Sequence, residues 1–124
     1  MAGTILIVDD EPNIVLSLEF LMKKEGYQVY TAQNGEEAMT IIREIKPDLV
    51  LLDVMMPRMD GYEVCEAVRQ DAELESVRII MLTAKGREVE RQKGLSLGAD
   101  DYITKPFATR DLVEKVSEFM EGKS

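Results

Sequence analysis

The chain has 124 residues, a formal net charge of −9 and no histidine. That length suits one domain with a real core, while the acidity argues against a phosphate-facing nucleic-acid surface. The missing histidine removes the commonest general base, the usual zinc ligand and any histidyl phosphoryl carrier, and no apolar run approaches the roughly 20 residues of a membrane span.

Thr4 to Val8 is a short apolar, β-branched run of the kind that forms a strand buried on both faces. It stops at Asp9-Asp10-Glu11, and Pro12 suits the first turn of a helix. Ile14, Val15, Leu18, Leu21 and Met22 give that helix one apolar stripe, and Gly26 ends it. Gln28 to Ala32 reads as a second strand. Asn34 to Ile45 reads as a helix with Ala38, Ile41, Ile42 and Ile45 inward. Leu49 to Leu52 is a fully apolar strand that ends at Asp53, followed by turn residues Pro57 and Asp60-Gly61. Tyr62 to Arg69 continues as a helix carrying the single cysteine, Cys65, which reads as a small core hydrophobe. A lone cysteine and the lack of a signal-peptide pattern fit a reducing, cytoplasmic setting. Arg78 to Leu82 is the fourth strand and ends at Thr83. Glu88 to Leu97 is a weaker helix, with only Val89 and Leu97 as a stripe and an internal Gly94. Tyr102 to Thr104 is the fifth strand, ending at Lys105-Pro106. Asp111 to Met120 is the last helix, burying Leu112, Val113, Val116, Phe119 and Met120.

Alternating strands and helices joined by short loops imply a parallel sheet covered on both faces. Right-handed crossovers leave few ways to wind five such units. The expectation is an α/β, flavodoxin-like doubly wound five-stranded parallel sheet of order 2-1-3-4-5 with five helices. No linker divides the chain, so a single domain over residues 1–124 is expected.

The polar residues then fall into place. Asp9 and Asp10 follow the first strand, Asp53 the third, Thr83 the fourth and Lys105 the fifth. All these strand ends share one edge, where open α/β sheets bind ligands. Taken singly, each has a plainer explanation. Asp9, Asp10 and Glu11 would suit a helix N-terminus, Asp53 a turn, Thr83 a cap, and Lys105 a solvated strand end. Together they make less sense as structure, because three packed carboxylates repel unless a cation or proton relieves them. Oxygen ligands without histidine or a thiolate cluster point to a hard cation such as Mg²⁺. Asp10 and Asp53 are placed to bind it directly, with Asp9 acting through water. Asp53 would then also be a nucleophile, since a carboxylate attacking phosphorus yields an aspartyl phosphate. Mg²⁺ and Lys105 would supply positive charge to the phosphoryl oxygens, and Thr83 a hydrogen bond.

Five stretches now resemble one family over essentially the whole chain. They are Ile7-Val8-Asp9-Asp10-Glu11, Leu51 to Pro57, Met59-Asp60-Gly61, Leu82-Thr83-Ala84 and Gly98 to Phe107. In order and spacing they resemble the receiver domains of two-component response regulators. The resemblance implies a phosphoacceptor signalling domain rather than an enzyme, taking its phosphoryl group from a sensor histidine kinase onto Asp53. It adds the Met55 backbone carbonyl as a Mg²⁺ ligand, and a switch in which Thr83 and Tyr102 reorient together. It also implies a cis Lys105–Pro106 bond.

Gly98 to Phe107 is closest to receivers of winged-helix transcription factors. This leaves two readings of the terminal Gly122-Lys123-Ser124: a stand-alone regulator, or a domain cut from a chain with a DNA-binding output domain. Arg91, Asp100, Asp101, Asp111 and Lys115 intersperse both signs on what should be one face, either a solvated, salt-bridged surface or a symmetric interface; the same resemblance implies the latter, as a phosphorylation-dependent homodimer. Met55 and Lys85, two places after Asp53 and Thr83, would shield the phosphoryl group. Two rivals remain. One is a Mg²⁺-dependent phosphohydrolase with an aspartate nucleophile, although Asp9-Asp10 are adjacent and no insertion forms a substrate cap. The other is a phosphorylation-independent interaction module, which would be expected to lack part of the acid–Thr–Lys set.

Overall fold

A computed structural model describes residues 3–84 and 88–121. Lys85 and the terminal Gly122-Lys123-Ser124 lie outside the described residues. Five strands, β1 (Thr4–Val8), β2 (Gln28–Ala32), β3 (Leu49–Asp53), β4 (Arg78–Ala84) and β5 (Asp101–Lys105), form one parallel sheet of order β2-β1-β3-β4-β5. Helices α1 (Pro12–Lys24), α2 (Gly35–Ile45), α3 (Gly61–Arg69), α4 (Glu88–Ser96) and α5 (Thr109–Glu121) connect and follow them. This is the expected flavodoxin-like winding. A short 3₁₀ helix, Ala72–Leu74, lies between α3 and β4 and was not expected.

Strand alternation sends side chains to two cores, one on each face of the sheet. Leu6, Val8, Val50, Leu52, Ile79 and Met81 pack with α2 and α3 residues such as Ile42, Val64 and Val68. Ile5, Ile7, Leu49, Leu51, Ile80 and Leu82 pack with Leu18 and Met22 of α1 and with Leu112 and Val116 of α5. Cys65 is buried in the first core, as its helical position suggested. In α2 the inward residue is Met39 rather than Ile45, which is 38% exposed at the helix end, beside a left-handed Lys46.

Helix α4 is the outlier. Its one buried residue is Gly94, which packs against Met81, and Val89 is 80% exposed. The expected Val89–Leu97 stripe therefore reduces to Leu97, which is partly buried just beyond the helix. Helix α5, by contrast, buries Leu112 and Val116, and each such side chain contributes about 1.5–3 kcal/mol. Helix α4 is held instead by side-chain contacts. Tyr62 Oη of α3 donates to the Glu90 carbonyl at 3.3 Å, the Lys93 ammonium sits 4.4 Å above the Tyr62 ring, and the Arg91 guanidinium sits 5.0 Å from the Tyr102 ring centre. Individually these contribute about 0.5–2 kcal/mol. Of all the helices, α4 is the one whose position costs least to change.

Candidate functional site

Asp9 leaves the end of β1 with its backbone N–H donating to Ala32 of β2, which fixes the turn. Its carboxylate is fully buried, accepts the Glu11 N–H at 2.9 Å, and takes Lys105 Nζ at 3.0 Å. Helix α1 gains no side-chain cap from Glu11 at its N-cap, so capping does not explain the acidic run. Asp53 ends β3 and is nearly buried. Gly61 is needed behind it, because a Cβ there would collide with the Asp53 carbonyl oxygen. Asp60 and Glu63 cap α3 reciprocally and hold the turn in place.

Lys105, at the end of β5, bridges the acids. Its Nζ lies 3.1 Å from Asp53 Oδ1, 3.0 Å from Asp9 Oδ2 and 3.6 Å from Glu11 Oε1. The Lys105–Pro106 peptide is cis. Asp9, Asp10 and Asp53 each bring a carboxylate oxygen within 4.8 Å of the others. Burial, then the neighbouring Asp9 charge, pushes the Asp53 carboxyl up to about 6, against the opposing pull of Lys105. Burial works to lower the Lys105 pKa, but its bonds to Asp9 and Asp53 outweigh it and leave the value raised. Among the described residues one ammonium meets Asp9, Glu11 and Asp53, with Asp10 beside them, and under-neutralises the group. An all-oxygen set this close and this short of positive charge fits a hard divalent cation.

A pocket of about 300 Å³ opens over these groups, lined by Asp10, Glu11, Asp53, Met55, Glu90 and Lys105 among others. Met55 is 68% exposed at its mouth. Thr83 lies on β4 beside the pocket residues Leu82 and Ala84, and its Oγ1 is buried with no hydrogen-bond partner among the described residues. A partnerless buried hydroxyl costs stability, which is expected where a group awaits a ligand. Tyr102 does not join this pocket. It borders a second cavity of about 320 Å³ with Phe107, Asp111 and Lys115, and its ring is flanked by Arg91 and by Lys115 at 5.7 Å.

Of the sequence-predicted site residues, Asp9, Asp10, Asp53 and Lys105 converge, Thr83 sits next to them, and Tyr102 stands apart. Two residues had not been singled out for the site: Glu11, within reach of Lys105, and Glu90, brought in from α4. The second signal was faint, one acid among several on a polar helix. Of the five charges expected on one partner face, four are paired within the chain. Asp100 bonds Arg69 of α3 at 2.8 Å and the Ile79 N–H. Asp101 pairs with Lys115 at 3.0 Å, and Arg91 pairs with Glu88.

The model of the response regulator receiver domain matches residues 5–117. The chain belongs to that family. A protein from Chloroflexus aurantiacus J-10-fl described as a response regulator is similar at 38% identity, over 97% of this chain and 98% of its own, with a TM-score of 0.92. The signal receiver domain of a signal transduction histidine kinase from Syntrophus aciditrophicus is 36% identical, over 98% and 92%, with a TM-score of 0.90. The chemotaxis response regulator CheY4 of Vibrio cholerae is 30% identical, over 96% and 99%, also with a TM-score of 0.90. Receiver domains are phosphoacceptor signalling modules rather than conventional enzymes; they bind Mg²⁺ at an acidic pocket and interact with histidine kinases. This receiver domain has an acidic group able to hold such an ion, and no described helix is long and apolar enough to cross a membrane.

Proposed function

We propose that this chain acts as one receiver unit over residues 1–124, in the cytoplasm, and takes a phosphoryl group from the phosphohistidine of a sensor histidine kinase onto Asp53. The observation that carries this reading is the convergence of three strand-end carboxylates with Lys105 3.1 Å from Asp53. An Asp53 carboxylate oxygen attacks phosphorus, a P–O bond forms as the P–N bond breaks, and the N–P electron pair stays on the imidazole, which leaves neutral with the proton its other ring nitrogen already carried. Mg²⁺, held by Asp10, Asp53 and the Met55 backbone carbonyl with Asp9 acting through water, would supply charge neutralisation at the phosphoryl oxygens. Lys105 pairs with those oxygens as well, and it can do so only by loosening its present bond to Asp53. The Thr83 hydroxyl, which has no partner among the described residues, would donate to the new group. Its movement, with Tyr102 following, is the switch. Exposed Met55 shields the acyl phosphate from water.

The test is incubation with Mg²⁺ and acetyl phosphate, read by intact mass. One added phosphoryl group is expected in the wild type and none in Asp53→Ala; an unchanged wild-type mass, or labelling that survives the substitution, overturns the reading.

A phosphorylation-dependent homodimer through α4, β5 and α5 belongs to the same proposal. With Asp101–Lys115 and Arg91–Glu88 already closed within the chain, such a dimer must exchange these pairs, and exposed Asp111 is the acid placed to receive Arg91 from a second copy. Sedimentation with and without beryllofluoride decides it. A monomer under both conditions at high concentration sinks the dimer. A DNA-binding output domain beyond Ser124 is likewise a proposal, and the adjoining coding sequence tests it.

A further inference from the structure

The loop between β3 and α3, residues 54–60, carries Met55 and is bounded by two glycines. At its base the Gly61 N–H donates to the Val54 carbonyl at 2.9 Å, and Gly61 itself lies against the Asp53 carbonyl. At its far side Met59 lies against Gly35, the first residue of α2. A Cβ on Gly35 would sit 2.5 Å from the Met59 Cβ and would collide with the Met59 carbonyl oxygen. Between the two contacts the chain has little slack. The Met59 N–H turns back to the Pro57 carbonyl at 2.8 Å, and Arg58 takes a left-handed φ of 70°, which a side chain adopts only at some cost.

We propose that Gly35 is a positioning residue for the metal: by admitting the Met59 backbone it sets where the loop places the Met55 carbonyl, and so tunes the site for Mg²⁺ over larger cations. This rests on the reading of that carbonyl as a Mg²⁺ ligand. Of the two surfaces that meet at Gly35, the loop is the one that yields. The start of α2 is held by the Asn34 side chain, which accepts the Glu37 N–H at 2.8 Å, and by the Glu37 carboxylate, which accepts the Gln33 N–H at 2.7 Å. Behind it Ala38, Met39 and Ile42 are buried in the first core, where Met39 and Ile42 contribute about 1.5–3 kcal/mol each. In the loop, Met56 and Met59 are only partly buried. An exposed ion pair, Arg58 to Glu36 at 3.3 Å, adds about 0–1 kcal/mol. A side chain at position 35 therefore displaces the loop, by about 1 Å to restore ordinary carbon–carbon contact. Mg²⁺ requires near-ideal octahedral geometry with short ligand distances, whereas Ca²⁺ accepts longer and more variable ones. A carbonyl shifted that far is a poor ligand for the first ion and a tolerable one for the second.

The test reads the rise of Tm with Mg²⁺ and with Ca²⁺, and hence each affinity, in wild type, Gly35→Ala and Arg58→Gly. Circular dichroism in EDTA shows whether each variant folds. Gly35→Ala should lose about tenfold or more in Mg²⁺ affinity, while its Ca²⁺ affinity changes by less than about threefold. Arg58→Gly suits the left-handed backbone but frees the loop, so its preference for Mg²⁺ over Ca²⁺ should fall as well, by about two- to fivefold. Loss of the Arg58 charge strengthens both divalent ions alike and cancels in that ratio. Equal losses for the two ions in Gly35→Ala mean a general loosening and overturn the inference. If Gly35→Ala does not fold, an unchanged ratio in Arg58→Gly overturns it. A wild type that binds Mg²⁺ while a folded Gly35→Ala matches it for both ions overturns this inference alone. A wild type that binds neither ion overturns the metal reading and this one with it.

Discussion

Replacing Asp53 by Asn should stabilise the metal-free protein at neutral pH, although it removes a lysine partner. The carboxyl is nearly buried beside Asp9 and is held at about 6, where an unhindered Asp has 3.8. Ionising it in the folded state therefore costs about 3 kcal/mol relative to the unfolded chain. Water entering through the pocket mouth and relaxation of Lys105 reduce this, leaving an expected gain of about 1–2 kcal/mol for the neutral isostere, or about 3–8 °C in Tm for a chain this size. The sign follows from proton binding. Between 3.8 and about 6 the folded protein holds a proton on Asp53 that the unfolded chain has released, so wild-type stability falls as pH rises through that window. The advantage of Asp53→Asn should be near zero at pH 4, grow up to about pH 6.5, and stay constant above it. Mg²⁺ should reverse the order, raising wild type and barely affecting the mutant. Urea denaturation at several pH values, with EDTA or with Mg²⁺, measures this directly. A mutant less stable than wild type at pH 7 in EDTA would falsify the strained-carboxylate argument and would make Asp53–Lys105 a net stabilising pair.

Thr83→Val removes a buried hydroxyl that has no partner among the described residues, so urea denaturation should show a fold equal to wild type or more stable by about 1 kcal/mol. The same variant should still accept phosphate yet lose its partner response. Arg69→Ala should cost about 2–4 kcal/mol by denaturation, because its guanidinium donates to the Gly98 and Val77 carbonyls and to Asp100 at 2.7–2.8 Å. Acetyl phosphate labelling of the folded Arg69→Ala fraction should be unchanged, since this cluster lies at the opposite end of β4 from Thr83. Burial pushes the Cys65 thiol up to about 11 from 9.0, so Ellman's reagent should react about 100-fold or more slowly with native than with urea-unfolded protein.

The sheet was legible because its central strands are nearly pure Val, Ile and Leu and stop abruptly at charged residues. A short continuous apolar run bounded by Pro47-Asp48 and Asp53 is too short for a helix and reads as a strand buried on both faces. The edges were blurred where side chains stop alternating cleanly. Strand β4 runs on through Thr83 to Ala84, and β5 begins at Asp101 and includes Lys105, because ladder pairing such as Ala84 with Lys105 extends beyond the apolar runs. The acid cluster was legible for the same reason as the strands, since Asp9 and Asp53 are the first polar groups to end an apolar run and Asp10 follows directly. The pairing of Asp100 was not legible: its neighbour Asp101 meets Lys115 of α5 while Asp100 turns to Arg69, and a loop preceding a strand has no periodicity from which to read this.

Helix α4 is where local rules gave least and where the structure is most informative. Its pattern is poor because it packs through Gly94 against Met81 and through tyrosine rings, contacts in which neither partner shows a helical stripe. A helix with a strong apolar face would be read easily and would also be difficult to move. Anchored by several contacts of about 0.5–2 kcal/mol rather than by buried aliphatics, α4 has the least apolar surface holding it in one position. The weak sequence signal and the weak anchoring thus have one physical cause, and such conflict between local pattern and fold concentrates where proteins switch.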